Sequence, residues 1–473
     1  MAPSPSLPAD ALHAIDRLTF GRTPELLDEV ATLGTAEFVR RQLDPGSIDD
    51  GECEAEAARF VRLRRPAAEL IRNGHSQWEV QNELIGRNVV RAITSRRQLL
   101  EVMFDFWSNH LSVNSAKRRV AFLLAADDAV VRRHALGRFD ELLQASASSP
   151  SMLSFLDNCT SRADGALPPN ENYARELLEL HTLGSASAYT EEDVAAVAHV
   201  FTGWTVDQND WTFVFRPDWN RLGPAATRQT LGWRPVAGDG SVENGRSLLA
   251  HLARHPATAR SLAHKLCRHF IRDDIGGTDP TVLAVAESYL ASGTDIARTL
   301  ATLFASGAFG ASAGARVRRP NELLYAMLRA TAARPDYARG IQGFSRSIRE
   351  ELMRLDQVTF EAPSPKGYPL SDKAWMDASS LIGRWNLAFR FAADRVDGAR
   401  VDTSTYAAAA TTAGELVDLI GVRLLGEPLP AEERRHLVAH LGGSEGSPLD
   451  PRARGRGAAI VGLTLASPTF QVR

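Results

Sequence analysis

Cysteine is nearly missing from this chain: Cys53, Cys159 and Cys267 are the only three in 473 residues. They stand far apart and form no CxxC pair, which removes thioredoxin-like redox chemistry and a zinc ribbon. They read as small apolar residues, as free thiols usually are. An excess of charge of one sign is missing too. Lys+Arg 54 against Asp+Glu 57 leaves a net charge of −3, so no global field attracts polyanions. The arginine pairs Arg118-Arg119, Arg132-Arg133 and Arg318-Arg319 are short and scattered. The basic stripe that nucleic acid requires is therefore absent, and no nucleic acid partner is expected. No apolar run approaches the roughly 18 to 20 residues needed to span a bilayer. The opening residues, Met1 to Pro8, have neither the basic nor the apolar region of an export signal. A cytoplasmic location is expected, or a periplasmic or secreted one if a leader has been removed. There is also no P-loop, HExxH or dinucleotide fingerprint. Gly442-Gly443-Ser444-Glu445-Gly446 matches the nucleophile-elbow string but follows a helix, whereas the elbow needs a strand-to-helix turn.

What is present is helical punctuation. Thr23-Pro24-Glu25 reads as an N-cap, a first-turn proline and a first-turn acid, with Gly34 as the stop. Ser149-Pro150 repeats the device, and Thr190 with Asp193 has the spacing of a capping box. Apolar residues recur at i, i+3, i+4 and i+7 through most intervening segments. One stretch departs from this: Trp211–Phe215 and Arg228–Leu231 are short and β-prone, and they predict a small hairpin. The expected fold is all-α, a two-lobed multi-helix bundle with a small inserted β-hairpin and strand mainly within 211–232. Residues 1–205 form an N-terminal helical lobe, 206–244 the irregular excursion and 245–473 a C-terminal helical lobe. Proline-rich 360–372 and glycine- and serine-rich 442–456 interrupt the last of these.

Ordered motifs run along nearly the whole chain: Arg17–Pro24, Phe106-Trp107-Ser108-Asn109-His110, Arg133–Gly137 and Leu156-Asp157-Asn158. Next come Pro169–Gly184, Thr202-Gly203-Trp204-Thr205, His255–Ala259, Lys265-Leu266, Pro320 with Glu322, and Ala466–Gln471. In this order they resemble the bacterial family called domain of unknown function 1800. Two loops depart from its pattern. Trp219–Gly223 lacks the family's histidine, and Ala362-Pro363-Ser364-Pro365-Lys366-Gly367-Tyr368 replaces a more regular proline–asparagine–lysine loop. The resemblance implies no substrate. It does imply frequent export, and frequent gene neighbourhood with a sulfatase-like family, domain of unknown function 1501.

The densest polar segment is Pro169–His181. As a helix at 100° per residue, Tyr173, Leu177 and Leu180 form its apolar stripe. Asn172, Glu176 and Glu179 line one flank, with Glu176 nearest the apolar boundary, and His181 falls on the opposite flank. Met103, Phe106, Trp107 and His110 share a face of an earlier helix, so His110 should point inward near that helix's end. Glu176 and His110 are predicted to meet in one polar pocket, with Glu179 and Asn172 at its mouth. Arg175 is expected in a buried ionic network. The candidate catalytic set is Glu176, His110, Arg175 and Glu179, and the candidate ligand-binding set is Asn170, Asn172, Asp157 and Asn158. A divalent metal is a candidate cofactor, although the Glu-x-x-His spacing of helical metal sites is absent. His251 with His255, and His264 with Cys267, also have zinc-compatible spacings, but Pro256 should begin a new helix between the first pair. Two functions remain open. One is an enzyme with a carboxylate/histidine/arginine site between helices, in which Glu176 is base or ligand and Arg175 orients an anionic group. The other is a non-catalytic helical partner that stabilises a sulfatase-like protein.

Overall fold

A computed structural model describes residues 7–165, 167–185, 189–226, 230–402, 409–442, 444–449 and 456–473. Helix accounts for 61% of the protein, so the all-α expectation holds. The local signals act as read. Thr23 accepts a hydrogen bond from Leu26 N at the start of Pro24–Leu33, and Gly34 closes that helix at φ +77°. Ser149 caps Pro150–Phe155, and Thr190 and Asp193 form a reciprocal capping box on Glu191–Val200. Each supplies a partner for a backbone N–H that a helix start leaves open.

The hairpin exists, but its partner strand is different. Phe213–Phe215 pairs antiparallel with Trp204–Val206, in register Trp204↔Phe215. The expected partner, Arg228–Leu231, is not that strand: Thr230 makes an isolated bridge to Trp233, while Arg228 and Gln229 lie outside the described residues. β-propensity marks a strand without naming what it pairs with. Two contacts with glycines fix the observed pairing. Gly203, at φ +79°, lies against the Arg216 carbonyl, and Trp204 packs on Gly245 where a side chain would collide. A second pair, Arg334–Pro335 with Ala399–Arg400, lies outside the region where strand was expected. Gly443 of the elbow-like string is also outside the described residues, and Glu445 is bonded through its backbone to Gly414.

Two helices are buried on almost every face, Gln98–His110 and Pro320–Ala330. A helix covered all round belongs to the centre of a large core. The buried apolar residues that surround them run from Ala11 to Phe470. Charges link the two helices. Arg319, 1% exposed, donates to Asp105 Oδ2 at 2.6 Å and to Glu322 Oε1 at 2.9 Å. Arg473 reaches the same Glu322 oxygen at 2.9 Å, and Asn321 Nδ2 reaches Asp105 Oδ1 at 2.8 Å. Glu322 Oε2 accepts from Arg319 N at 2.8 Å, which closes a box at the helix start. The two arginines hold the Glu322 carboxyl well below the usual range even though burial opposes this.

Removing one member of such a network strands its partners in a dry site. Glu322→Ala should therefore lower unfolding free energy by about 3–5 kcal/mol, read by urea denaturation. A loss below about 1 kcal/mol would mean that water reaches the cluster.

Candidate functional site

The dense motif is helical, but not as one regular helix. Asn172–Glu176 is α-helical, and Leu177–His181 widens into a π turn. The regular 100° step therefore fails after Glu176, and with it the placement of His181 on an opposite flank. A π turn survives only where its terminal carbonyls find other donors. Here they do. Thr182 Oγ1 donates to Leu177 O at 2.6 Å, Lys265 Nζ to Leu180 O at 2.9 Å, and His110 Nε2 to His181 O at 3.1 Å.

His110 points inward as its stripe predicts, stacked on Phe106 with Trp107 at its edge. Its partner, however, is not Glu176. A carbonyl only accepts, so Nε2 carries the proton, and Nδ1 accepts from the Lys265 ammonium at 3.1 Å. Both ring nitrogens are thus occupied, and the ring is neutral. Burial, with Lys265 and His181 adding to it, holds its pKa well below the usual histidine value. Burial, then Lys265, pushes the ring of His181 down to about 3, and its Nε2 has no partner. Burial alone brings Lys265 down to about 8.

The other expected residues separate. Asn158 is buried and structural: its Nδ2 donates to Phe201 O at 3.1 Å and to Trp204 O at 3.0 Å. Asp157 pairs with Lys117 at 2.6 Å in the open. Asn170 Oδ1 accepts from Asn172 N at 2.9 Å, and Asn172 Nδ2 donates to Leu156 O at 3.2 Å. Arg175 is not in a buried network. It is 37% exposed and bridges Glu191 at 2.7 Å and Glu171 at 3.2 Å. The Glu191–Val200 helix covers that flank of the motif, and only packing could decide which flank would be covered.

Glu176 and Glu179 make no hydrogen bond or ion pair with the described residues, and both are half-buried. Burial first, then Glu179, raises the Glu176 pKa, while Lys366 and Arg175 pull it down. Lys366 belongs to the altered loop at 362–368, which is clamped to the end of the His110 helix. Asn109 Nδ2 donates to Tyr368 O at 3.0 Å, and Asn109 Oδ1 accepts from Tyr368 N at 2.7 Å. Gly367, at φ +71°, is pressed so close to Asn109 that a Cβ would overlap its carbonyl. The other altered loop is structural, since buried Asn220 donates to Thr202 O at 3.0 Å and accepts from Gly240 N at 3.0 Å.

The rings of His251 and His255 meet edge to face, 6.1 Å between centroids, but no third ligand among the described residues joins them. His251 bonds to Leu231 O at 2.8 Å, His264 to Ile275 O at 2.9 Å, and His255 caps the helix that Pro256 begins. Among the described residues, no group of three or more His, Cys, Asp or Glu side chains could hold a metal ion. Spacing reasoning missed Lys265 and Lys366. Their signal was scarcity: lysine occupies only positions 117, 265, 366 and 373, against 54 lysines and arginines together. Two of these four act on the motif, Lys265 through Leu180 O and Lys366 through its charge on Glu176. Arginine cannot give up its proton where a buried lysine can, so the rare lysine in an arginine-rich chain carries information.

Fold and site together define a large all-α protein whose longest polar motif ends in a lysine- and histidine-capped π turn. The chain belongs to the family described as protein of unknown function (DUF1800), whose model matches residues 13–472. No curated protein and no solved structure matches it.

The exposed bridges of Arg175 make Arg175→Ala a mild change, costing less than about 1 kcal/mol in thermal or urea unfolding. The neutral histidines produce a pH dependence. Unfolding lets His181 take up a proton below about pH 6.5, whereas in the fold it stays neutral down to about 3. The unfolded state then binds more protons, so stability falls as pH drops through this window. His181→Asn should reduce that slope by about 1.4 kcal/mol per pH unit, measured by urea unfolding between pH 6 and 4.

Proposed function

We propose that this chain is an enzyme that uses Glu176 as a general acid–base group on an anionic substrate oriented by Lys366. The observation that supports this is the isolation of Glu176. In a motif where Asn170, Asn172, Arg175 and His110 are all committed to partners, this half-buried carboxylate has none. A carboxyl whose pKa is raised by burial moves toward the range in which it can both take and give a proton near neutrality. Lys366, whose charge lowers the Glu176 pKa, sits on a loop fixed by Asn109 and Gly367 and takes the anion-orienting role that sequence spacing gave to Arg175. His110 and Lys265 are positioning residues, because they hold the carbonyls of the turn that follows Glu176. No metal step is part of this reading.

A second reading rests on a different observation. Ile382, Trp385 and Phe389 recur at i, i+3 and i+7 on the Ala378–Ala392 helix and are 55, 45 and 43% exposed. An apolar stripe in solvent marks a protein contact, and tryptophan is a frequent anchor there. On this reading the chain is a non-catalytic helical partner of a sulfatase-like protein of the domain of unknown function 1501 family.

One experiment separates the two. Wild type, Glu176→Gln and Trp385→Glu are each incubated with a metabolite extract, followed by untargeted mass spectrometry, and each is mixed with a purified sulfatase-like protein on a sizing column. The enzyme reading expects turnover by wild type and Trp385→Glu and none by Glu176→Gln. Glu176→Gln should keep or slightly raise the melting temperature, because an unpaired buried charge is removed. Turnover by Glu176→Gln at the wild-type rate would overturn the acid–base role. A complex that forms with wild type and is lost in Trp385→Glu would favour the second reading.

A further inference from the structure

A second site lies away from the motif, between the helices Val120–His134, Phe139–Ala147 and Pro150–Phe155. Their apolar faces leave a narrow cleft that opens to solvent. Leu111, Val131, Leu142, Met152 and Phe360 form its walls, and its polar groups are Asp127, Asp128, Ser108, Ser146, Ser149 and Ser151. Two features at these polar groups lack a counterpart. The Asp127 carboxylate is held through Oδ2, by the hydroxyls of Ser149 at 2.6 Å and of Ser151, while Oδ1 accepts no hydrogen bond from the described residues and stays open to solvent at the cleft. The buried Ser108 hydroxyl has no partner at all. The adjacent residue shows what is missing. Asp128 is paired with Arg87 at 2.8 Å and with Arg132, whereas no cation among the described residues pairs with Asp127.

We propose that this cleft binds a small primary amine with a short apolar tail. The ammonium would sit on Asp127 Oδ1, one of its hydrogens would reach the Ser108 oxygen, and the tail would lie along the apolar walls. An ammonium is the group that answers both vacancies. It supplies the absent charge to the carboxylate and a donor to the free hydroxyl, neither of which an anion or a hydrocarbon provides. The surrounding apolar walls strengthen that pairing and add affinity from tail burial, at roughly 0.8 kcal/mol per CH₂. A carboxylate that lacks a cation inside apolar walls is otherwise costly. The expense is visible in the Asp127 carboxyl, which burial pushes up to about 6 against the pull of its two serines. The site needs neither Glu176 nor Lys366, so it stands or falls separately from the proposed catalytic role.

Titration calorimetry on the full chain, at about pH 8 so that Asp127 is ionised, tests this with butylamine and benzylamine. The comparison ligands are butanol, benzyl alcohol and butyrate. Wild type should bind each amine at least about tenfold more tightly than the matched alcohol and should not bind butyrate. Asp127→Asn keeps an acceptor for the serines but removes the charge, so it should erase the amine preference. Val131→Phe, which narrows the cleft from an apolar wall, should abolish binding of amine and alcohol alike. Absence of saturable amine binding by wild type overturns the proposal, as does an unchanged amine preference in Asp127→Asn. If Asp127→Asn fails to fold, amine binding retained by Val131→Phe overturns it instead.

Discussion

The structure turns on one buried carboxylate, Glu322, shared by two arginines. Arg319 and Arg473 both donate to Glu322 Oε1, and Arg319 extends to Asp105 on the helix that ends at His110. Residues separated by more than two hundred positions are thereby joined by direct hydrogen bonds. Buried ion pairs are weak evidence for stability, since desolvation cancels most of the attraction. Their effect is to forbid alternatives. A helix that slid by one turn along its neighbour would leave a guanidinium or a carboxylate stranded, and the apolar residues alone would tolerate that slide far better.

That fixed register also sets the surroundings of the motif. Asp105 and His110 are on one helix, so the network that positions Asp105 also sets where the His110 ring meets the π turn. The turn in turn depends on side chains from outside its own segment. Lys265, from the Pro256–Phe270 helix, and His110 satisfy the carbonyls that a regular helix would have bonded internally. Strain of this kind is retained where neighbouring structure over-determines it. Glu176 stands at the junction between regular and widened turns, and like Glu179 it has no hydrogen-bond or ion-pair partner among the described residues.

The two carboxylates stand in different surroundings. Burial raises the Glu176 carboxyl, and the charge of the exposed Lys366 pulls it back. At Asp127, the carboxyl faces apolar walls and two hydroxyls with no cation nearby.

The sequence alone determined whatever depends on neighbours within a few residues. The caps at Thr23, Ser149 and Thr190, the break at Pro256, the dominance of helix, and the inward face of Met103, Phe106, Trp107 and His110 all follow from local hydrogen bonding and a constant helical step. Family membership was legible as well, from ordered motifs. Tertiary structure alone decided the rest. It chose Trp204–Val206 as the partner of Phe213–Phe215, left Arg175 on an exposed flank, gave His110 a lysine instead of a glutamate, and opened the motif helix into a π turn. The lysine at His110 and the π turn were set by a group distant in sequence, Lys265, 89 positions beyond Glu176. A spacing rule carries no information about what another helix will bring to the same place.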